Sequence, residues 1–589
     1  MKTAPVRYSI RPANPQAHSF EVSCTVSHPD AGGQRFTLPA WIPGSYLIRD
    51  FARHIVAIRA EAGGKPVRLE KVDKHTWLAA ALRQGQELTV ICEIYAWDLS
   101  VRGAHLDQTH AFFNGASVFL CPLGHEAAPC LVDIQSPAGE TYANWRVATA
   151  LDPAGEKAGG AKPHGFGLYR AANYDELIDH PVELGSFTLL CFAACGVAHE
   201  VAITGRHNCD IERLSADLKR ICEWQIRFFG EPAPMSRYVF LVTAVGEGYG
   251  GLEHRASTAL LCSRDDLPYV GMEGMPERYR TFLGLCSHEY FHTWNVKRIK
   301  PAAFTPYDLN HESHTTLLWA FEGFTSYYDD LALLRSGVID RTAYLELLAK
   351  TIANVRRTPG RHRQSLAESS FDAWIKYYRP DENTPNAVVS YYAKGALVAL
   401  ALDLTLRQQG HGHSLDEVMR ALWQRHGQTG IGVGEDDIQQ IAEDVSGLDL
   451  KRFFTDAVHG TRELALAKLL APLGVKLGWG KAKTPWLGVK TASEGGNLKL
   501  ASVFDGGPAQ AAGLAGGDAL LALNGLRVTA SNLDSMLTRC RPGDNVKLHA
   551  FRRDELMEFM VRLDPPSADD CTLTPTGHAN TLRRAWLGS

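Results

Sequence analysis

Between Val6 and about Thr204, apolar residues come in short runs that alternate with polar ones, as in Phe20-Glu21-Val22-Ser23-Cys24-Thr25-Val26 and Leu88-Thr89-Val90-Ile91-Cys92-Glu93-Ile94-Tyr95. Successive strand side chains point to opposite faces, so this pattern predicts strands with one face in a core. The breakers Ala31-Gly32-Gly33, Ala62-Gly63-Gly64 and Ala158-Gly159-Gly160 divide the runs, and an all-β domain over 1–205 is expected. Within it, Trp41 to Phe51 packs three aromatics and a Pro-Gly turn into eleven residues. That segment reads equally well as a turn with its aromatics in the core or as a wall beside an active site.

The period then changes. Ile211, Leu214, Leu218, Ile221, Cys222 and Ile226 recur at spacings of mainly three and four, predicting an amphipathic helix over 210–229. A short β-rich run, Tyr238 to Val242, leads into Gly246-Glu247-Gly248-Tyr249-Gly250-Gly251-Leu252-Glu253-His254. Clustered glycines after a strand mark either a mobile loop or bare backbone brought close to a partner. A helix is expected from Pro276 to Trp294, and a second over 317–334. Helical spacing then dominates 341–470. These stretches make a mixed, mostly helical domain over 206–475. From 484 to 565 the pattern is α+β again: a strand at 498–503, a Gly-Gly-Pro helix start at 506–508, and a strand entering an Asn-Gly turn at 524–525. The polar residues of 566–589 read as a loose tail.

With about 150 residues per domain, 589 residues predict three or four domains. The 61 basic and 65 acidic residues are dispersed, so nothing favours a nucleic-acid partner. Twelve cysteines without CxxC spacing read as reduced thiols, with Cys191 and Cys195 buried, and imply a cytoplasmic protein. Met1 to Pro15 lacks the apolar core of a signal peptide. The most apolar run, 186–198, falls short of the roughly twenty residues of a membrane span.

Candidate chemistry is concentrated in Ser287-His288-Glu289-Tyr290-Phe291-His292-Thr293-Trp294. On a helix, His288 and His292 fall on one face a turn apart, so both imidazoles can hold one metal ion. With 23 histidines in the chain, on the order of one random sequence in twenty would carry HExxH, so the flanks must decide. Glu322 lies in an otherwise apolar turn, where a carboxylate needs a cation. His288, His292 and Glu322 would leave a fourth zinc position to water, with Glu289 as general base.

Four motifs in order carry a resemblance to the M61 peptidases, the glycyl aminopeptidase family related to the M1 gluzincin aminopeptidases. Gly250-Gly251-Leu252-Glu253-His254 is similar to the GxMEN exopeptidase loop, and His288-Glu289-Tyr290-Phe291-His292 follows it. Trp319 to Tyr328 resembles the block with the third zinc ligand, and Tyr392-Ala393-Lys394-Gly395 resembles the YxKG block with the catalytic tyrosine. Trp486-Leu487-Gly488-Val489 and Gly507 to Leu514 resemble the carboxylate-binding loop and helix of a PDZ domain.

The resemblance implies a thermolysin-like α/β-plus-helical catalytic domain with one zinc ion. It implies Glu253 as anchor for the substrate α-amine, Tyr392 as oxyanion donor, Gly250 and Gly251 as backbone beside the substrate, and a preference for amino-terminal Gly and Ala. The roles of Tyr391 and Lys394 stay open. Two departures from the M1 pattern matter. With 29 residues between His292 and Glu322, Glu312 is a rival ligand, although its neighbours do not match the ligand block; and His254 stands where M1 has Asn. The expected activity is a zinc aminopeptidase acting on peptides, with a carboxy-terminal peptide as possible PDZ ligand. The alternatives are an endopeptidase or non-peptide amide hydrolase on the same site, or a PDZ-based binding protein whose zinc site is idle.

Overall fold

A computed structural model of the chain describes residues 4–155, 159–480, 484–568 and 570–588. Ala158 of the third glycine breaker, Met1–Thr3, Asp569 and Ser589 lie outside the described residues. The chain forms two compact units, and their division falls inside the stretch 206–475. The first holds residues up to Ser313 with two short later pieces, Ser336–Val338 and Trp423–Gly432; the second holds the rest.

In the first unit the alternating runs form strands with alternating burial. Phe20, Val22, Cys24 and Val26 of strand Ser19–Val26 face the core, and so do Leu88, Val90, Cys92 and Ile94 of Leu88–Tyr95, its antiparallel neighbour. Both belong to an eight-stranded sheet, in which Val6–Asn14 also runs parallel to Cys130–Ile134. Two four-stranded sheets complete this β-rich part.

A five-stranded sheet follows, built for the helices that pack on it. Val197–Thr204, Arg237–Val245 and Ser257–Ser263 run parallel, and helix Ile211–Phe229 makes the crossover between the first two. The glycine-rich segment is no loose loop. Tyr249–Glu253 is an antiparallel edge strand, pairing Gly251 with Leu260 and Glu253 with Thr258. Helix Glu277–Phe291 starts after Pro276 as expected, but ends with His292 as its cap rather than at Trp294.

Cys191 and Cys195 are a correction: Cys191 is exposed and Cys195 half-exposed. Cys191 lies in strand Thr188–Ala194 at the sheet edge and Cys195 in the turn that follows it, so an apolar run that reads as wholly interior keeps one face outward.

In the second unit, the run expected as one helix is two, Leu318–Phe321 and Gly323–Arg335, with Glu322 at the break. Helix Ala393–Gln409 packs on the latter, its residues from Lys394 to Leu404 buried. Residues 489–562 form an antiparallel sheet, with Val489–Glu494 at one edge and a core around Leu498, Leu500, Leu520, Leu548 and Val561. Asn524 and Gly525 both take positive φ, 51° and 79°, in the expected tight turn.

The loose tail is also corrected. Asp570–Pro575 pairs antiparallel with Val475–Gly480, and helix Thr581–Leu587 buries Trp586, whose Nε1 donates to the Tyr327 hydroxyl at 3.0 Å. The strand's partner precedes the whole intervening domain, which local polarity could not reveal. Among the described residues no helix is long and apolar enough to cross a membrane.

Candidate active site

Helix Glu277–Phe291 is held from behind. Gln225 Nε2 donates to the Ser287 carbonyl and hydroxyl at 2.9 Å, and Tyr279 donates to Asp217 at 2.8 Å. His199 Nδ1 lies 3.0 Å from the Val197 carbonyl and its Nε2 2.9 Å from the Tyr290 hydroxyl. Burial lowers the His199 pKa to about 4, so the ring is neutral, donates through Nδ1 and accepts the phenol proton at Nε2. These bonds fix the helix's rotation and thus the direction of His288 and His292.

The two imidazoles fit a shared cation. Their Nε2 atoms are 3.1 Å apart, close to the roughly 3.4 Å between two ligands of a tetrahedral zinc ion. His292 Nδ1 donates to the Asn295 carbonyl at 2.7 Å, which leaves the Nε2 lone pair for a metal. A metal-binding histidine usually has such an outer partner, because it sets the tautomer and the ring plane.

The edge strand Tyr249–Glu253 supplies the next groups. Carboxylate oxygens of Glu253 and Glu289 and a ring nitrogen of His292 lie within 4.8 Å of one another, close enough to share a cation. Gly251 faces Glu289 so closely that a Cβ there would overlap the carboxylate. Glu253 is 4 % exposed, and its Oε1 has no hydrogen-bond partner among the described residues. A buried carboxylate in that condition calls for a cationic ligand.

Two residues beside this strand carry little sequence signal. Gly44, at φ +93°, presses against Glu253; a Cβ would stand 2.5–2.7 Å from its carboxylate. Trp41 and Tyr46 of the same segment are buried, and Trp41 Nε1 donates to the carbonyls of Asp308 and His311 at 2.8 and 2.9 Å. The aromatics of the segment are core, and its glycine backs Glu253. Arg102 Nη2 donates to the Gly251 carbonyl at 3.3 Å from a distant loop. No local pattern could have found Arg102; the Pro-Gly pair was the one signal for Gly44.

His254 meets a second carboxylate, Asp179. Its Nδ1 lies 3.4 Å from buried Asp179, which also takes Lys297 Nζ at 2.6 Å and the Arg255 backbone N–H at 3.0 Å. Burial opposes ionisation of Asp179, but Lys297 and Arg255 hold its pKa well below the usual carboxylate value. Burial likewise lowers the pKa of His254.

In the second unit, Glu322 is 2 % exposed at the helix break. Glu312, by contrast, is exposed in a loop of the first unit. Tyr392 precedes helix Ala393–Gln409, its hydroxyl 3.3 Å from that of Tyr378. Burial and the nearby Glu322 carboxylate hold its pKa well above the ordinary phenol value. Tyr391 is wholly buried and packs on Tyr377 and Tyr392. Lys394 lines a separate pocket with Arg361 and Glu463.

Family models match three stretches: the Peptidase M61 N-terminal domain over 7–186, the M61 glycyl aminopeptidase domain over 281–398 and a PDZ domain over 485–563. A crystal structure of an aminopeptidase N family protein from Idiomarina loihiensis is 41% identical. It has a TM-score of 0.95, with 99% of this chain and 100% of that chain covered. A mutant M1 zinc metallopeptidase from Deinococcus radiodurans, bound to a Tyr-Ser-Ala substrate, is 16% identical, with 79% and 95% covered. Its TM-score of 0.47 is too low to bear on this chain. No curated protein is similar enough to count as a match. The chain belongs to the M61 glycyl aminopeptidase family of peptidases, with a β-rich amino-terminal domain, a central catalytic domain and a carboxy-terminal PDZ domain.

Proposed function

We propose that this M61 peptidase is a zinc-dependent aminopeptidase releasing small amino-terminal residues, Gly and Ala foremost. The observation that carries the reading is Glu253: a buried carboxylate with an unpartnered oxygen, on an edge strand beside Glu289 and His292. It is suited to receive the ammonium group of a peptide terminus in a charge-assisted hydrogen bond. A chain anchored there presents its first peptide bond and no later one.

His288, His292 and Glu322 would hold the zinc ion, which when bound polarises a carbonyl and lowers the pKa of water toward about 7. Glu289 takes a proton from the attacking water and returns it to the leaving amine. Tyr392 keeps its proton at neutral pH, because its pKa is held high, and donates to the developing oxyanion. Gly250 and Gly251 let backbone approach the substrate where a side chain would intrude. The preference for Gly and Ala rests on the family.

Edge strand Val489–Glu494 of the PDZ domain is suited to receive the carboxyl end of a peptide as an added strand. Twelve free cysteines support a reducing compartment, the cytoplasm.

The test compares Ala-peptides with their acetylated forms. Blocking the amine should lower kcat/KM by at least about a hundredfold, the cost of leaving a buried carboxylate unpaired. Equal rates on both would make the enzyme an endopeptidase.

A further inference from the structure

Away from the catalytic helix, the β-rich part carries a second set of metal-ligating groups. Strands Ala104–Leu106 and His110–Phe113 form a hairpin that places His105 and His110 side by side, ring centroids 5.0 Å apart. Asp107 stands at the turn between them. Its Oδ1 accepts the backbone N–H groups of Thr109 and His110 at 2.6 and 3.1 Å, so the turn fixes the carboxylate's direction. Its Oδ2 lies 3.4 Å from His105 Nε2, matching the roughly 3.4 Å between two ligands of a tetrahedral zinc ion.

One ligand atom from each of the three residues lies within 4.8 Å of the others. Two ligands of one zinc-class ion are at most about 4.2 Å apart, twice the metal–ligand distance, so a small side-chain rotation closes the set.

Two further features point to a cation. Behind His110, Nδ1 meets Oε1 of buried Glu183 at 3.0 Å, and the Thr204 hydroxyl donates to the same oxygen at 2.9 Å. That arrangement leaves His110 Nε2 to face a ligand, with a carboxylate behind the imidazole as in zinc sites. The three side chains also line a pocket of about 650 Å³, with Trp97 on one wall and Arg206 and Thr243 on another. A cation here keeps a position open to small ligands, and Arg206 adds a charge suited to anionic ones.

We infer that His105, Asp107 and His110 form a second binding site for a divalent first-row cation of the zinc class, separate from the HExxH helix. Two imidazoles and one carboxylate suit zinc, cobalt or nickel rather than calcium or magnesium, which take oxygen ligands. Bound there, the ion ties both strands of the hairpin to its turn.

The experiment uses the full chain, stripped with a chelator and reloaded with zinc, and reads metal per chain by elemental analysis. Two equivalents are expected in the unaltered protein; a single equivalent would overturn the inference. In a His288→Ala/His292→Ala background one equivalent should remain, and adding His105→Ala should remove it. Cobalt loading of that background should give the visible absorption bands of nitrogen-ligated cobalt, and their absence counts against the site. Asp107→Asn keeps an oxygen for the turn and guards against loss of fold. It should weaken zinc binding at least about tenfold, and an unchanged Kd would reject Asp107 as ligand.

Discussion

Gly323 and Gly395 meet backbone to backbone: a Cβ on Gly323 would stand 2.6 Å from the Gly395 Cα, and one on Gly395 would stand 2.9 Å from the Gly323 Cα. Gly323 directly follows Glu322, and Gly395 closes the block that begins at Tyr392. Their contact brings helices Gly323–Arg335 and Ala393–Gln409 together and sets Glu322 within electrostatic reach of Tyr392. Gly323→Ala should therefore cost about 1–3 kcal/mol by overpacking and lower kcat more than it raises KM. Thermal melts and steady-state kinetics check both; wild-type values in each would show that the helices can part without consequence.

Glu289→Gln should leave zinc bound, because the proposed ligands are untouched. It should lower kcat by about a hundredfold or more, the usual contribution of a positioned base. Zinc content and activity measured on one preparation decide it, and full activity would remove Glu289 from the mechanism.

Gly44→Ala should act on substrate binding. At φ +93° a side chain is strained, and its Cβ would push the Glu253 carboxylate. If Glu253 anchors the amine, KM for free-amine peptides should rise several-fold while zinc content stays constant. An unchanged KM would mean that Glu253 tolerates displacement.

Asp179→Asn should destabilise the first unit by about 3–5 kcal/mol at pH 7, since it leaves Lys297 buried beside an uncharged amide. The Asp179 pKa is depressed in the folded state, so its ionic contribution is present above the unfolded value of about 3.9 and is lost as pH falls through the lower folded pKa. Urea melts of wild type and variant should thus differ most near neutrality and converge in strong acid. A gap that widens on acidification would reverse the assignment.

Features whose cause is local were legible in the sequence. The spacing of His288 and His292 puts them on one helical face wherever the helix packs, and alternation in 20–26 and 88–95 marks strands whatever their partners. Glu322 could be suspected because a carboxylate among apolar neighbours needs a cation. The helix break at Glu322 was not legible, since the apolar spacing continues across it. Nor was the terminal segment, whose polar residues conceal a strand and a buried Trp586.

By itself, then, the sequence determined the order of the domains, the candidate catalytic motifs and the placing of two histidines on one helical face, all set by residue type and short-range periodicity. Only the tertiary structure decided what surrounds those groups. Gly44 and Arg102 reach the Tyr249–Glu253 strand from distant segments, and Asp179 gathers His254 and Lys297. Each such contact depends on how sheets and helices pack across long chain separations, and one residue's neighbours in sequence carry no record of that.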